Sequence, residues 1–108
     1  MADPRIRQIK IKTGVVKRLA KEETMYISEA KQLEEKVEQL KAEGGDEYLI
    51  KKQIEVLRES QMMIPDCRRR LTGAHAELLQ LLETEEDVAD TEEYKEARKV
   101  LDSVKLEG

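Results

Sequence analysis

Phenylalanine, tryptophan and asparagine are absent from the 108 residues, and aromatics make up only 3%. A thick globular core built on large rings is not expected. Cys67 is the only cysteine, so no disulfide can close within the chain, which fits a reducing compartment. His75 is the only histidine, so one chain cannot form a multi-histidine metal site. Cys67 and His75 are eight positions apart, about 12 Å along a helix, too far for a nucleophile and its base. Cys67 therefore reads as a small packing residue and His75 as a partly exposed helix residue. Gly44-Gly45 is not followed by Gly-Lys-Ser/Thr and no strand precedes it, so it reads as a turn and not a phosphate-binding loop. There is no signal-peptide core and no apolar run of about 20 residues, so neither secretion nor membrane spanning is expected. No catalytic constellation, metal site or cofactor site emerges. The expectation is a non-enzymatic protein.

What the chain has in quantity is charge, at 41%, arranged around a seven-residue apolar rhythm. From Pro4 to Ala42, Ile9, Val16, Ala30 and Val37 recur at one seam position, and Leu19, Tyr26, Leu33 and Leu40 at the other. Lys12 and Glu23 interrupt the seam. Alternating steps of three and four keep a stripe on one side of an α-helix. This argues against the disorder that so polar a composition otherwise allows. The helix predicted over 4–42 is about 58 Å long and needs covering along its seam.

Asp3 is placed to cap this helix, with Pro4 at its first position; Gly44 or Gly45 can end it, and Asp46 can cap the next. A second helix over about 47–85 carries Ile50, Leu57, Ile64, Leu71 and Leu78 at one position. Gln53, Ser60, Cys67, Ala74 and Leu81 fill the other. Pro65 should kink it without ending it, because the heptad keeps its phase from Leu57 through Ile64 to Leu71. A turn over 85–90 precedes a third helix, about 91–106, with Tyr94, Ala97, Leu101 and Val104 on one face and Asp90 as the expected cap.

Short turns imply antiparallel neighbours. The reading is one all-α domain over 1–108: an antiparallel three-helix bundle of left-handed coiled-coil type, with two long helices, the second proline-kinked, and a shorter third. The third helix can cover only the end where the second becomes leucine-rich, from Leu71 to Leu82, leaving a thinner two-helix hairpin toward Gly44-Gly45.

Residues 1–21 hold seven basic groups and one acid, while the rest hold 13 basic and 23 acidic groups. The acidic start of the third helix (Asp90, Glu92, Glu93) should lie near this basic end. The overall acidity, and the absence of aromatics among the basic residues, weigh against nucleic-acid binding. Candidate contact residues for a protein partner are Arg5, Lys10, Lys17, Arg18 and Lys21 on the first helix, with Arg68, Arg69 and Arg70 after the proline. Met62 joins them as an outward-facing, adaptable apolar group. Ile11, Met25 and Leu79 are further outward apolar positions. From the residues alone, a coiled-coil oligomerisation or scaffold subunit fits as well as a binding protein.

Several long literal runs carry a resemblance. They are Met1-Ala-Asp-Pro-Arg with Gln8-Ile-Lys-Ile-Lys-Thr-Gly-Val-Val-Lys-Arg-Leu, then Met62-Met-Ile-Pro-Asp-Cys, then Glu93-Tyr-Lys-Glu-Ala-Arg and Val100-Leu-Asp-Ser-Val-Lys-Leu-Glu. With these the chain resembles the tubulin-binding cofactor A family over nearly its whole length, more loosely over 42–46 and 72–91. The resemblance implies an ATP-independent, cytoplasmic and cytoskeleton-associated three-helix chaperone. It would capture quasi-native β-tubulin after chaperonin release, on the pathway to the α/β-tubulin heterodimer. β-Tubulin is then the partner and other tubulin-folding cofactors are further ones; for the chain itself a monomer is expected over a homodimer, with neither nucleic acid nor membrane as partner. Tubulin is acidic, which favours the basic groups named above as steering residues.

Overall fold

The structure, a computed structural model, describes residues 3–104. Three α-helices and one short 3₁₀ turn account for nearly all of them: α1 (Pro4–Ala42), α2 (Glu47–Thr84), the turn Glu86–Val88, and α3 (Glu92–Ser103). The fold is all-α.

The helix ends follow local chemistry. Asp3 Oδ1 accepts the Arg5 amide at 2.9 Å, and the proline at the first position of α1 has no N–H to leave unpaired. At the other end Gly44 has φ 68°, where a side chain would be strained. The Gly45 amide donates to the Leu40 carbonyl at 2.8 Å and the Gly44 amide to the Lys41 carbonyl at 3.2 Å. This pair of bonds is the Schellman closure of a helix. Asp46 Oδ1 then accepts the Tyr48 amide at 2.8 Å and starts α2.

α2 runs unbroken through Pro65. Proline cannot donate to the carbonyl four residues earlier, that of Gln61. Gln61 and Pro65 are both exposed, so water can take that carbonyl and the helix continues.

α3 departs from expectation at both ends. Its cap is Thr91 and not Asp90: Thr91 Oγ1 accepts the Tyr94 amide at 3.3 Å and donates to the Val88 carbonyl at 2.7 Å. The preceding segment curls into the 3₁₀ turn and buries Val88, which sets Thr91 at the helix start. The helix ends at Ser103, with Val104 extended; residues 105 and 106, also expected to be helical, lie outside the described residues.

Contacts divide the chain into two compact units, Met1–Lys21 with Arg68–Gly108, and Glu22–Cys67. The first holds three helical segments. Ile9, Val16, Leu71, Leu78, Leu82 and Ala97 form its fully enclosed centre, with Leu19, Val88, Tyr94, Val100 and Leu101 around it. Each fully buried Leu or Ile contributes about 1.5–3 kcal/mol relative to exposure. Helix direction is legible in the cross-links. Lys12 Nζ meets Glu77 at 3.2 Å and Arg5 meets Glu85 at 3.4 Å, so α1 and α2 are antiparallel. Tyr94 Oη donates to the Leu82 carbonyl at 3.1 Å, and His75 Nε2 lies 3.2 Å from the Leu101 carbonyl, so α2 and α3 are antiparallel too. Both carbonyls belong to the last turn of their helix, where backbone partners run out. The two helices thus cap each other's C-terminal ends. Lys12, the first break in the seam, is half-exposed and reaches outward to Glu77, while its neighbour Thr13 is buried with Oγ1 donating to the Ile9 carbonyl at 2.6 Å.

The second unit is a two-helix hairpin with a thinner seam. Ala30, Val37 and Cys67 are its buried apolar residues, with Ser60 the buried polar one. Tyr26, Leu33, Leu40, Ile50, Ile54, Leu57 and Ile64 are only half-buried. Gln61 Nε2 donates to Glu34 Oε1 at 3.1 Å across the hairpin.

Candidate functional site

The basic residues named from the sequence do not form one uniform patch. All lie in the three-helix unit, where Arg5 and Lys17 form ion pairs with acidic residues. Arg5 is held by Asp3 at 2.8 Å and also contacts Glu85 and Asp87. The side-chain hydrogen bond from Arg5, and then the backbone one, hold the Asp3 carboxyl below the usual carboxylate range. The same contacts, Asp3 first and Asp87 second, make the Arg5 guanidinium harder still to deprotonate. Lys17 Nζ pairs with Glu96 at 3.1 Å and ties α1 to α3. Arg5 and Lys17 therefore read first as stabilising groups of this unit. The expected attraction between the basic start of α1 and the acidic segment exists, carried by Glu85, Asp87 and Glu96. Glu92 and Glu93 line a groove with Lys10, Thr13, Gly14 and Lys17, while Asp90 is not among its lining residues.

Lys10, Arg18, Lys21, Arg68, Arg69 and Arg70 are exposed. The three consecutive arginines follow the proline on α2 and present a dense cationic edge of the three-helix unit.

Apolar exposure belongs to the other unit. Among the described residues, Met25, Ile27, Tyr48, Leu49, Val56, Met62 and Met63 are exposed large hydrophobics of the hairpin; in the three-helix unit only Ile11 is. Met62 is 73% exposed, as its outward position predicts. Leu79, by contrast, is half-buried, because the helices of the three-helix unit cover more of α2 than the heptad seam alone implies.

A groove of about 460 Å³ lies in the hairpin, lined by Tyr26 and Glu29 of α1 and by Val56, Glu59, Ser60, Met62 and Met63 of α2. The Ser60 hydroxyl is buried and has no hydrogen-bond partner. Of these residues, Met62 alone is a contact candidate by sequence. The signal for the rest was Val56, Glu59, Ser60 and Met63, spaced three, four and seven apart and so on one face.

Among the described residues, no group of three or more His, Cys, Asp or Glu side chains is placed to hold a metal, and no helix is long and apolar enough to cross a membrane. Cys67 is buried in the seam. The geometry presents surfaces for binding.

The sequence profile described as Tubulin binding cofactor A matches residues 4–101. A Bos taurus protein named tubulin-specific chaperone A is 72% identical over 107 residues, covering 99% of each chain. A structure titled human tubulin chaperone cofactor a superposes with TM-score 0.81 at 64% identity, over 93% of this chain and 97% of that one. The crystal structure of tubulin folding cofactor A from Arabidopsis thaliana superposes with TM-score 0.83 at 39% identity, over 92% and 94%. The chain belongs to the tubulin binding cofactor A family.

Proposed function

We propose that the protein is a tubulin-folding chaperone of the cytoplasm that captures quasi-native β-tubulin after its release from the chaperonin. It holds the subunit on the way to the α/β heterodimer, acting as a monomer beside other tubulin-folding cofactors and in association with the cytoskeleton. The observation that carries this reading is the family match over residues 4–101. The surface supports it. A holder of a partly folded subunit needs exposed adaptable groups, here Met62 and its neighbours, and charge to guide encounter, here Lys10, Arg18, Lys21 and Arg68–Arg70.

The mechanism is passive. Binding to one state of the client stabilises that state by mass action, about 2.7 kcal/mol when the holder is present at a hundred times its Kd. Release then requires a partner that competes for the bound state, because a ligand shifts an equilibrium only by its differential affinity. The experiment is a pull-down from cytosol under conditions that preserve tubulin. β-Tubulin at near-equal stoichiometry is expected, and its absence overturns the reading. In the same assay, changing Arg68, Arg69 and Arg70 to Glu should weaken capture with helicity intact. Unchanged capture would remove the three arginines from the contact surface.

A further inference from the structure

We propose that the hairpin groove of Tyr26, Val56, Met62 and Met63 seats an amphipathic segment of the client that carries lysine or arginine beside its apolar residues. This rests on the chaperone reading and locates an apolar contact for it.

Three observations meet at this groove. Its walls are soft and exposed. Met62 and Met63 have three rotatable bonds each and polarizable sulfurs, and they can repack around side chains of different shape. The half-buried Tyr26 ring and the exposed Val56 complete the apolar surface, and Met25 stands one turn before Glu29 on the same side of α1.

The charge is acidic. Glu29 and Glu59 line the groove from opposite helices, and the hairpin as a whole carries twelve acidic and six basic residues. A surface of this sign attracts a basic segment and repels an acidic one, and like-charge juxtaposition is costly at an interface.

Ser60 is the third. It lines the groove, is 7% exposed, and its hydroxyl has no partner. A buried hydroxyl without a hydrogen bond is destabilising. A bound segment offering a lysine ammonium or a backbone group satisfies it. An apolar groove, an acidic rim and an open hydroxyl are together what a basic amphipathic helix or strand requires of its receptor.

The test compares wild type with Met62→Glu, Met62→Ser and Glu29→Lys/Glu59→Lys. All three alter exposed side chains, and unchanged helicity by circular dichroism confirms that each variant folds. Two probes are used: purified β-tubulin, and a synthetic amphipathic Leu/Lys peptide with its Leu/Glu counterpart as control. Wild type should bind β-tubulin and the Leu/Lys peptide, and Met62→Ser and Glu29→Lys/Glu59→Lys should each lose about tenfold in affinity for both, Met62→Glu serving as the self-association control. β-Tubulin binding unchanged in the variants overturns the groove as client site while leaving the chaperone reading intact. Failure of wild type to bind β-tubulin, with the Leu/Lys peptide still bound and lost in the variants, overturns the chaperone reading and upholds the groove's preference. Tighter β-tubulin binding by the Glu→Lys variant, or equal binding of both peptides, overturns the charge assignment. Self-association of wild type that Met62→Glu abolishes overturns the proposal in favour of a second copy of the chain.

Discussion

Tyr94→Phe removes a single oxygen atom and keeps the ring of a residue only 8% exposed. That oxygen donates to the Leu82 carbonyl at 3.1 Å in a buried setting. Leu82 lies within the last turn of α2, which ends at Thr84, so its carbonyl is one that the helix itself cannot be relied on to satisfy. A typical intramolecular hydrogen bond contributes about 0.5–1.5 kcal/mol net, and leaving a buried acceptor orphaned costs about 1–3 kcal/mol. The expected loss is therefore about 1–3 kcal/mol. Urea unfolding followed at 222 nm should show a lower midpoint with unchanged slope, because the surface exposed on unfolding is the same. A control is built into the chain: Tyr48 is 64% exposed, and Tyr48→Phe should stay within about 0.5 kcal/mol of wild type. His75 makes the reciprocal contact at the Leu101 carbonyl, seven residues and about 10 Å along α3 from Tyr94. His75→Phe should also destabilise, and the double variant should be additive within about 0.5 kcal/mol. If Tyr94→Phe matches the Tyr48 control, mutual capping of α2 and α3 does not hold the end of the three-helix unit, and side-chain packing alone does.

Alanine should act with opposite sign at different glycines: Gly14→Ala and Gly73→Ala each stabilise by about 1 kcal/mol, since both are helical and an added Cβ meets nothing within 4 Å. Gly44→Ala at φ 68° destabilises by about 1–2 kcal/mol, and thermal melts of the three variants check the signs. Leu78→Ala, at the fully buried centre of the three-helix unit, should cost about 2–5 kcal/mol, read as a fall in the urea midpoint. The Asp3 carboxyl has a folded pKa below its ordinary 3.8, so what it contributes to stability is present above that value and is lost as pH falls through the folded pKa. NMR titration of the Asp3 carboxyl should show the depressed value, and Arg5→Gln should return it toward 3.8.

Local chemistry was legible without the fold. Asp3-Pro4, Gly44-Gly45 and Asp46 marked their helix ends correctly, because a cap is a bargain among residues a few positions apart. The heptad carried α2 through Pro65 for a similar reason: phase is a property of spacing. The leucine-rich stretch from Leu71 to Leu82 foretold where a third helix packs. Spacing misplaced the cap of α3, since Asp90 is in isolation the better cap of the two and burial of Val88 set Thr91 at the helix start instead.

Composition and periodicity by themselves determined an all-α chain with two long helices and a short third. Literal sequence runs pointed to the family. Only the tertiary structure decided which charges are engaged and which face is uncovered. Arg5 and Lys17 looked like Lys10 and Arg18 until α3 and its preceding turn brought Glu85, Asp87 and Glu96 against them. Met62 gained its neighbours only when α1 supplied Tyr26 and Glu29 to the groove. Helix formation depends on partners within one turn, so a sequence can state it. A surface is what remains after distant segments have covered one another, and that remainder exists only in the folded chain.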